Sequence, residues 1–192
     1  MRHKKVIATC KHFAAYDFEE TQQVTRAGFN AIVSTQELSE YYLPPFKNLC
    51  CRDASGAFMC SYNSVNGIPA CASPYLLEDI IRQHWKWEAD DHWVASDCDA
   101  IQFIQNPHNY AHTSAEAAAI GLKSDTDLEC VTGVFNGLQQ AYNQSLVTDA
   151  DLDKALIRLY TSQISLESGT QEQMILFDNW IGMMSTRQQH SN

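Results

Sequence analysis

His92-Trp93-Val94-Ala95-Ser96-Asp97 is the stretch on which the reading of this chain turns. It is a short apolar run that ends on a carboxylate, with a polar loop beyond it. A run of this length, rich in β-branched and aromatic residues, reads as a buried strand. Two earlier stretches share its character. Val6 to Phe13 (VIATCKHF) is apolar and ends in polar residues, and Ala57 to Tyr62 (AFMCSY) is a second such run. Thr126 to Cys130 reads as a fourth, shorter strand.

Helices are expected between these runs. Ser34-x-x-Glu37 is a capping box for a helix carrying Leu38, Tyr41 and Tyr42, and Pro44-Pro45 forbids its continuation. Asn66-Gly67 is turn-prone. Ser73 offers an N-cap with Pro74 at the first helical position, followed by Leu77, Ile80, Ile81, His84 and Trp85 at helical spacing. A loop containing Asn106-Pro107 precedes Thr113-x-x-Glu116, which caps an Ala-rich helix. Thr148 caps a last helix with Leu152, Ala155, Leu156, Leu159 and Tyr160 on one face. Such alternation is the signature of βαβ units and an α/β fold with a parallel sheet. Four units amount to about the C-terminal half of a (β/α)8 TIM-type barrel, which needs about 250 residues when whole. A smaller doubly wound sheet is the alternative, but no Gly-rich phosphate loop follows any strand, so a nucleotide role has no support. Residues 1–163 form the expected barrel segment. Beyond Ile164 the periodicity is lost, and 164–192 reads as a divergent tail.

Composition narrows the partners. The 192 residues include 13 Lys plus Arg against 23 Asp plus Glu, a net charge of −10. Such a surface repels phosphate backbones and anionic membranes, so neither a nucleic-acid nor a membrane partner is expected. No apolar run approaches the roughly 18 residues of a membrane span. Met1-Arg2-His3-Lys4-Lys5 has the basic character of a leader, but Val6-Ile7-Ala8 is too short for its apolar core, so no signal peptide is expected in this chain. Seven cysteines are present (Cys10, Cys50, Cys51, Cys60, Cys71, Cys98 and Cys130), an odd number with no zinc-type C-x-x-C spacing. Together with the Asn143-Gln144-Ser145 sequon they suit a secreted parent or, equally, buried thiols.

Functional side chains of parallel α/β sheets gather at the carboxyl ends of the strands. That rule selects Lys11 and His12, Tyr62 and Asn63, Asp97 and Asp99, and Asp127 and Glu129. Ammonium, imidazole, phenol and carboxylates on one face suit a polyhydroxylated ligand, and a carboxylate can attack or stabilise a cationic sugar carbon. Each also has a purely structural reading: Lys11-His12 as a solvated strand end, Tyr62 as a rim aromatic, Asp97 as a cap. His108 and His112 lie four apart but in a loop, so no metal is expected. Cys10 beside Lys11 is either an activated thiol or, more in keeping with its surroundings, a structural cysteine. Trp85, Trp87 and Trp93 offer sugar-stacking faces or core packing.

Longer stretches carry a resemblance: Ala8-Thr9-Cys10-Lys11-His12-Phe13-Ala14-Ala15-Tyr16-Asp17, Val33 to Phe46, Met59-Cys60-Ser61-Tyr62-Asn63-Ser64-Val65-Asn66-Gly67, Ser96-Asp97-Cys98-Asp99-Ala100-Ile101 and Pro107-His108-Asn109-Tyr110. On these the chain resembles the fungal and plant β-xylosidase branch of glycoside hydrolase family 3, collinearly from about Val6 to Gln163. The resemblance implies an N-terminal barrel followed, in the full-length enzyme, by an α/β sandwich domain. It implies a retaining hydrolase of terminal β-xylosides, with α-L-arabinofuranosides as further substrates, in xylan breakdown. Asp97 would be the nucleophile; Lys11, His12, Met59 and Tyr62 would hold the sugar. Cys98, where the glucosidase branch usually has Trp, points toward pentosides. The expected partner is a xylo-oligosaccharide or arabinoside, no cofactor is implied, and the full-length family member would be extracellular.

Departures accompany the matches. The first half of the barrel and the acid/base glutamate of the sandwich domain are missing, so the chain reads as a fragment, and a non-catalytic remnant, a partial barrel with weak sugar binding or an interaction role only, is the alternative. Glu20-Thr21 stands where the branch has Asn-Trp. Ser124-Asp125-Thr126-Asp127 stands where it has Ala-Gly-Thr-Asp, placing a charge at a turn glycine. Open strand edges predict self-association.

Overall fold

A computed structural model describes residues 6–50, 55–130 and 137–167. Its centre is a three-stranded parallel sheet in the order β1-β3-β6, formed by β1 (Ala8–Phe13), β3 (Ser55–Cys60) and β6 (Trp93–Ser96). The architecture is α/β, as expected. The fourth strand is a correction: Thr126 to Cys130 joins the sheet through one isolated parallel bridge, Ala95 to Leu128. Around that bridge Asp127 and Leu128 N–H donate to the Val94 carbonyl and Ser96 N–H to that of Leu128. So the described residues contain three strands in this sheet where four had been expected. A second small sheet, β2 (Asn30–Ala31), β4 (Ser64–Val65) and β5 (Ile68–Pro69), went unanticipated because its strands are two residues long. Asn66 and Gly67 form the β4–β5 turn with φ of 51° and 88°, the left-handed pair that a two-residue hairpin requires.

Helices cover one face. Ser34 and Glu37 form the expected capping box at α1 (Thr35–Glu37), which runs into a π-helical segment Leu38–Tyr42. Pro44-Pro45 does end that segment, but it also opens α2 (Pro44–Cys50), since the first helical turn needs no proline N–H. A second π-helix, Tyr75–His84, buries Leu76, Leu77, Ile80 and Ile81, with Ser73 Oγ accepting from Leu76 N–H at 3.3 Å. After β6 come α3 (Ala100–Gln105), α4 (Ser114–Lys123), α5 (Leu138–Asn143) and α6 (Asp149–Glu167). Thr113 and Glu116 cap α4 reciprocally, and Thr148 and Asp151 do the same for α6. α6 continues through Glu167, past the point where periodicity fades; the rest of the expected tail lies outside the described residues. None of the helices formed by the described residues is long and apolar enough to cross a membrane.

The core lies between the sheet and these helices. Phe13 and Phe58 are fully buried and pack edge-on against Phe46, Trp85 and Trp87. The tryptophans thus serve packing: Trp87 also stacks on His92, and Trp93 donates to Ser162 Oγ at 3.0 Å. A smaller cluster of Ala115, Ala118, Ala119, Leu122, Ala141, Val147 and Ala155 joins α4, α5 and α6. Three disulfides cross-link this frame: Cys10 of β1 to Cys50 of α2, Cys60 of β3 to Cys71, and Cys98 to Cys130. Cys10 is therefore a structural half-cystine, not an activated thiol. Cys51, the odd cysteine, lies outside the described residues.

Candidate functional site

Parallel pairing brings the carboxyl ends of β1, β3 and β6 to one edge. The ladder continues past the strands, with Ser61 N–H donating to Phe13 O and Asp97 N–H to Cys60 O, both at 2.9 Å. Cys10 is bonded to α2 and Phe13 packs on Phe46, so both face the helices although they are three residues apart. The register shift between them breaks the alternation of the strand. A bulge of this kind re-aims side chains, and it leaves Lys11 and His12 for the opposite face. The turn that follows is held by buried Asn63, whose Nδ2 donates to the Ala14 and Ala15 carbonyls at 3.2 Å, with Ala15 at φ 55°. Asn63, a strand-end candidate, is therefore scaffolding.

Asp97 is 8% exposed. Its Oδ1 accepts from Cys98 N–H at 2.8 Å, and its Oδ2 lies 3.4 Å from His12 Nε2. Burial holds the His12 imidazole below its usual range; Asp97 pulls it upward and Lys11 pushes it further down. Burial, then the charge and hydrogen bonding of Asp97, push the Tyr62 phenol up to about 12, so it remains a protonated donor. Lys11 is exposed at the same edge, and Met59, half-buried, pairs in register with Ala95 one strand over. The geometry brings His12, Tyr62 and Asp97 together, with Lys11 and Met59 on neighbouring positions.

Arg26 was not singled out in the sequence. Its guanidinium carbon lies 5.2 Å from the Tyr62 ring centroid, and its Nη1 is 3.4 Å from Glu19 Oε2. Nothing in the spacing of a loop residue distinguishes it; only the fold brings it to the aromatic ring. Tyr16 joins the same group, edge-on to His12 with centroids 5.3 Å apart. Cys98, next to Asp97, is joined to Cys130 by a disulfide, and Asp99 N–H donates to Cys130 O at 3.1 Å. Asp99 itself is exposed at φ 67° where α3 begins.

Asp127 does not join this group. Asp127 Oδ2 accepts from Val94 N–H at 2.9 Å, beside the amino end of β6. It is bound to Arg82 Nη2 and Arg158 Nη1 at 3.1 and 3.0 Å, while Asp125 takes Arg82, Arg158 and Lys154 at 2.8, 3.0 and 2.6 Å. Glu129 is buried on the same segment. Asp125 has φ 77°, the left-handed conformation for which a turn glycine is suited. Among the described residues no group of three or more His, Cys, Asp and Glu side chains is arranged to hold a metal. A carboxylate beside an imidazole and a phenol, with an ammonium on the adjoining strand position and a guanidinium over the phenol ring, can grip hydroxyls and meet positive charge developing on a sugar carbon.

The chain is 58% identical over 163 residues to a probable exo-1,4-β-xylosidase of Neosartorya fischeri and 53% identical to an exo-1,4-β-xylosidase of Emericella nidulans. Each alignment covers 84% of this chain and 21% of the relative, so the chain spans about a fifth of their length. Among solved structures, a family 3 exo-β-xylosidase in complex with a xylobiose aziridine probe superposes with a TM-score of 0.80 at 35% identity, covering 91% of this chain and 24% of that one. A β-glucosidase from Listeria innocua in complex with isofagomine gives 0.70 at 29%, over 83% of this chain and 21% of the other. The family model described as the glycosyl hydrolase family 3 N-terminal domain matches residues 1–162, and the chain belongs to that family.

Proposed function

We propose that this chain carries the nucleophile half of a retaining β-xylosidase site, with Asp97 as the nucleophile. The observation that supports it most directly is the pairing of Asp97 with His12 at 3.4 Å beside the protonated Tyr62 phenol, at the carboxyl edge of a parallel sheet. In this reading an Asp97 carboxylate oxygen attacks C1 of a terminal xyloside. The C1–O bond breaks, and its electron pair leaves with the departing alcohol, which takes a proton from a general acid. Water then attacks C1, loses a proton to the conjugate base and releases xylose and free Asp97. Lys11, His12, Tyr62 and Met59, joined by Arg26, hold the sugar, the first two by its hydroxyls. Cys98 beside the nucleophile favours pentosides, arabinofuranosides included. The three parallel strands and their helices are read as part of a (β/α)8 barrel. The three disulfides fit an extracellular setting. The outer edge of β1, unpaired among the described strands, favours self-association.

The test is incubation with a 2-deoxy-2-fluoro-xyloside bearing a dinitrophenolate leaving group, followed by intact mass and peptide mapping. A single fluoroxylosyl adduct on Asp97 is expected. An adduct on another residue overturns the assignment of Asp97. Saturable xylose binding without any adduct replaces the proposal with a non-catalytic sugar-binding role.

A further inference from the structure

His108 enters the sequence as half of a weak His108–His112 pair and within the Pro107-His108-Asn109-Tyr110 stretch, with no role of its own, yet both its ring nitrogens are engaged. Nε2 lies 2.7 Å from the Tyr62 carbonyl oxygen and Nδ1 lies 2.9 Å from Ser64 Oγ. A carbonyl can only accept, so Nε2 carries the proton and donates to Tyr62. In the neutral ring Nδ1 then accepts from the Ser64 hydroxyl. Burial holds this imidazole below its usual range, so the neutral form is the one retained.

The element that carries His108 starts at Asp97. Ala100 N–H donates to Asp97 O at 3.0 Å as α3 begins. Phe103 on α3 places its ring 5.3 Å from that of Tyr62, and the turn beyond α3 closes with His108 N–H donating to Phe103 O at 3.1 Å. One element rooted at Asp97 therefore reaches Tyr62 twice, through its ring and through its backbone. Ser64 extends the connection, because its N–H donates to Phe29 O at 2.8 Å, just past the loop that bears Arg26. Pro107 packs on that loop too: a Cβ at Gly28 would stand 3.4 Å from Pro107 Cγ.

We propose that His108 is a positioning residue for the Asp97 site, setting Tyr62 relative to Asp97 through its bonds to the Tyr62 carbonyl and Ser64. It touches no substrate, and the proposal rests on the glycosidase reading above. Misplacement of a site group by about 1 Å costs on the order of 10²-fold in rate. His108→Phe keeps the ring's bulk and loses both hydrogen bonds. His108→Gln can return an amide N–H to the Tyr62 carbonyl.

The experiment measures the first-order rate of trapping by the fluoroxyloside, its half-saturating concentration and the Tm for wild type and both variants. His108→Phe is expected to slow trapping about 10²-fold with little change in half-saturation, and His108→Gln to recover most of that loss. If His108→Phe does not fold, Ser64→Ala, which frees Nδ1 and lets the ring turn, is expected to slow trapping less while remaining folded. Trapping at the wild-type rate in folded His108→Phe, or in folded Ser64→Ala where that variant stands in, overturns the proposal. So does a loss equal in His108→Phe and His108→Gln that follows Tm, which marks a purely structural histidine. Absence of any wild-type adduct defeats the glycosidase reading first and this proposal with it.

Discussion

The two ends of the central sheet treat aspartate in opposite ways. At the amino end, Asp125 and Asp127 are buried and share three cations, Arg82, Arg158 and Lys154, with Arg82 itself 3% exposed and lying 4.8 Å over the Trp87 ring. At the carboxyl end, the one ion-pair partner of Asp97 among the described residues is a half-buried imidazole whose own burial disfavours its charge. Buried charge is tolerated when it is fully paired and hydrogen-bonded, and breaking such a set leaves an uncompensated ion. The amino end satisfies that requirement and contributes to the fold. The carboxyl end leaves a carboxylate under-compensated at an open edge, where a developing cation can complete it.

That contrast is sharpest in activity. Asp97→Ala should abolish fluoroxyloside trapping and any hydrolysis of aryl xylosides while leaving the melting transition in place. Aryl xyloside turnover that survives Asp97→Ala would break the comparison at its functional end.

Arg82→Leu strikes the other end. Arg82 donates to Asp125, Asp127 and the Trp87 and His92 carbonyls. Its loss should cost about 3–5 kcal/mol by denaturant titration, the range for removing one partner of a buried ion pair. The fraction still folded should trap the probe at the wild-type rate. A matching fall in that rate would show the two ends to be coupled.

Titration separates the two buried aspartates. Burial pushes the Asp125 carboxyl up, but Arg158, Arg82 and Lys154 outweigh it and hold it below its ordinary value. In acid the unfolded chain therefore takes up that proton first, and stability falls as pH drops below about 4. Asp127 runs the other way: burial, opposed by Arg158 and Arg82, pushes it up to about 6. Between about 6 and 4 the folded state takes up that proton first and gains stability as pH falls. His12 and His108, held below their usual range, lose stability in the same window, so the Asp127 contribution is read against Asp127→Asn: from pH 6 to 4 the melting temperature of the wild type should gain on that of the variant. A difference between the two that does not change with pH would contradict the assignment for Asp127.

The smallest effect belongs to neither end. Ser34→Ala removes the capping box at α1 and should cost about 1 kcal/mol by calorimetry, with trapping unchanged. A change in trapping rate would mean that the helix layer reaches the site.

Local signals in the sequence were enough for several of the elements. The three apolar runs, the Ser34 and Thr113 capping boxes and the Asn66-Gly67 turn depend on residues within four positions of one another, and each is where those residues place it. The rule that side chains gather at carboxyl ends of parallel strands then selected Lys11, His12, Tyr62 and Asp97. It also selected Asp127, wrongly, because the segment from Thr126 meets the sheet by one bridge and turns its carboxylate toward the amino end. The same weak pairing explains the missing fourth strand.

What the sequence by itself determined was the α/β order, the caps and the chemical types at the strand ends, since short-range backbone preference and apolar periodicity set all of these. The tertiary structure alone decided which cysteines pair across 11, 32 and 40 residues, which cations neutralise Asp125 and Asp127, and that Arg26 lies over Tyr62. It also decided which His108 nitrogen keeps the proton. Each depends on through-space distances of a few ångströms between groups remote in sequence. Hydrogen-bond and Coulomb energies at that range follow the packed geometry, and no local pattern encodes it.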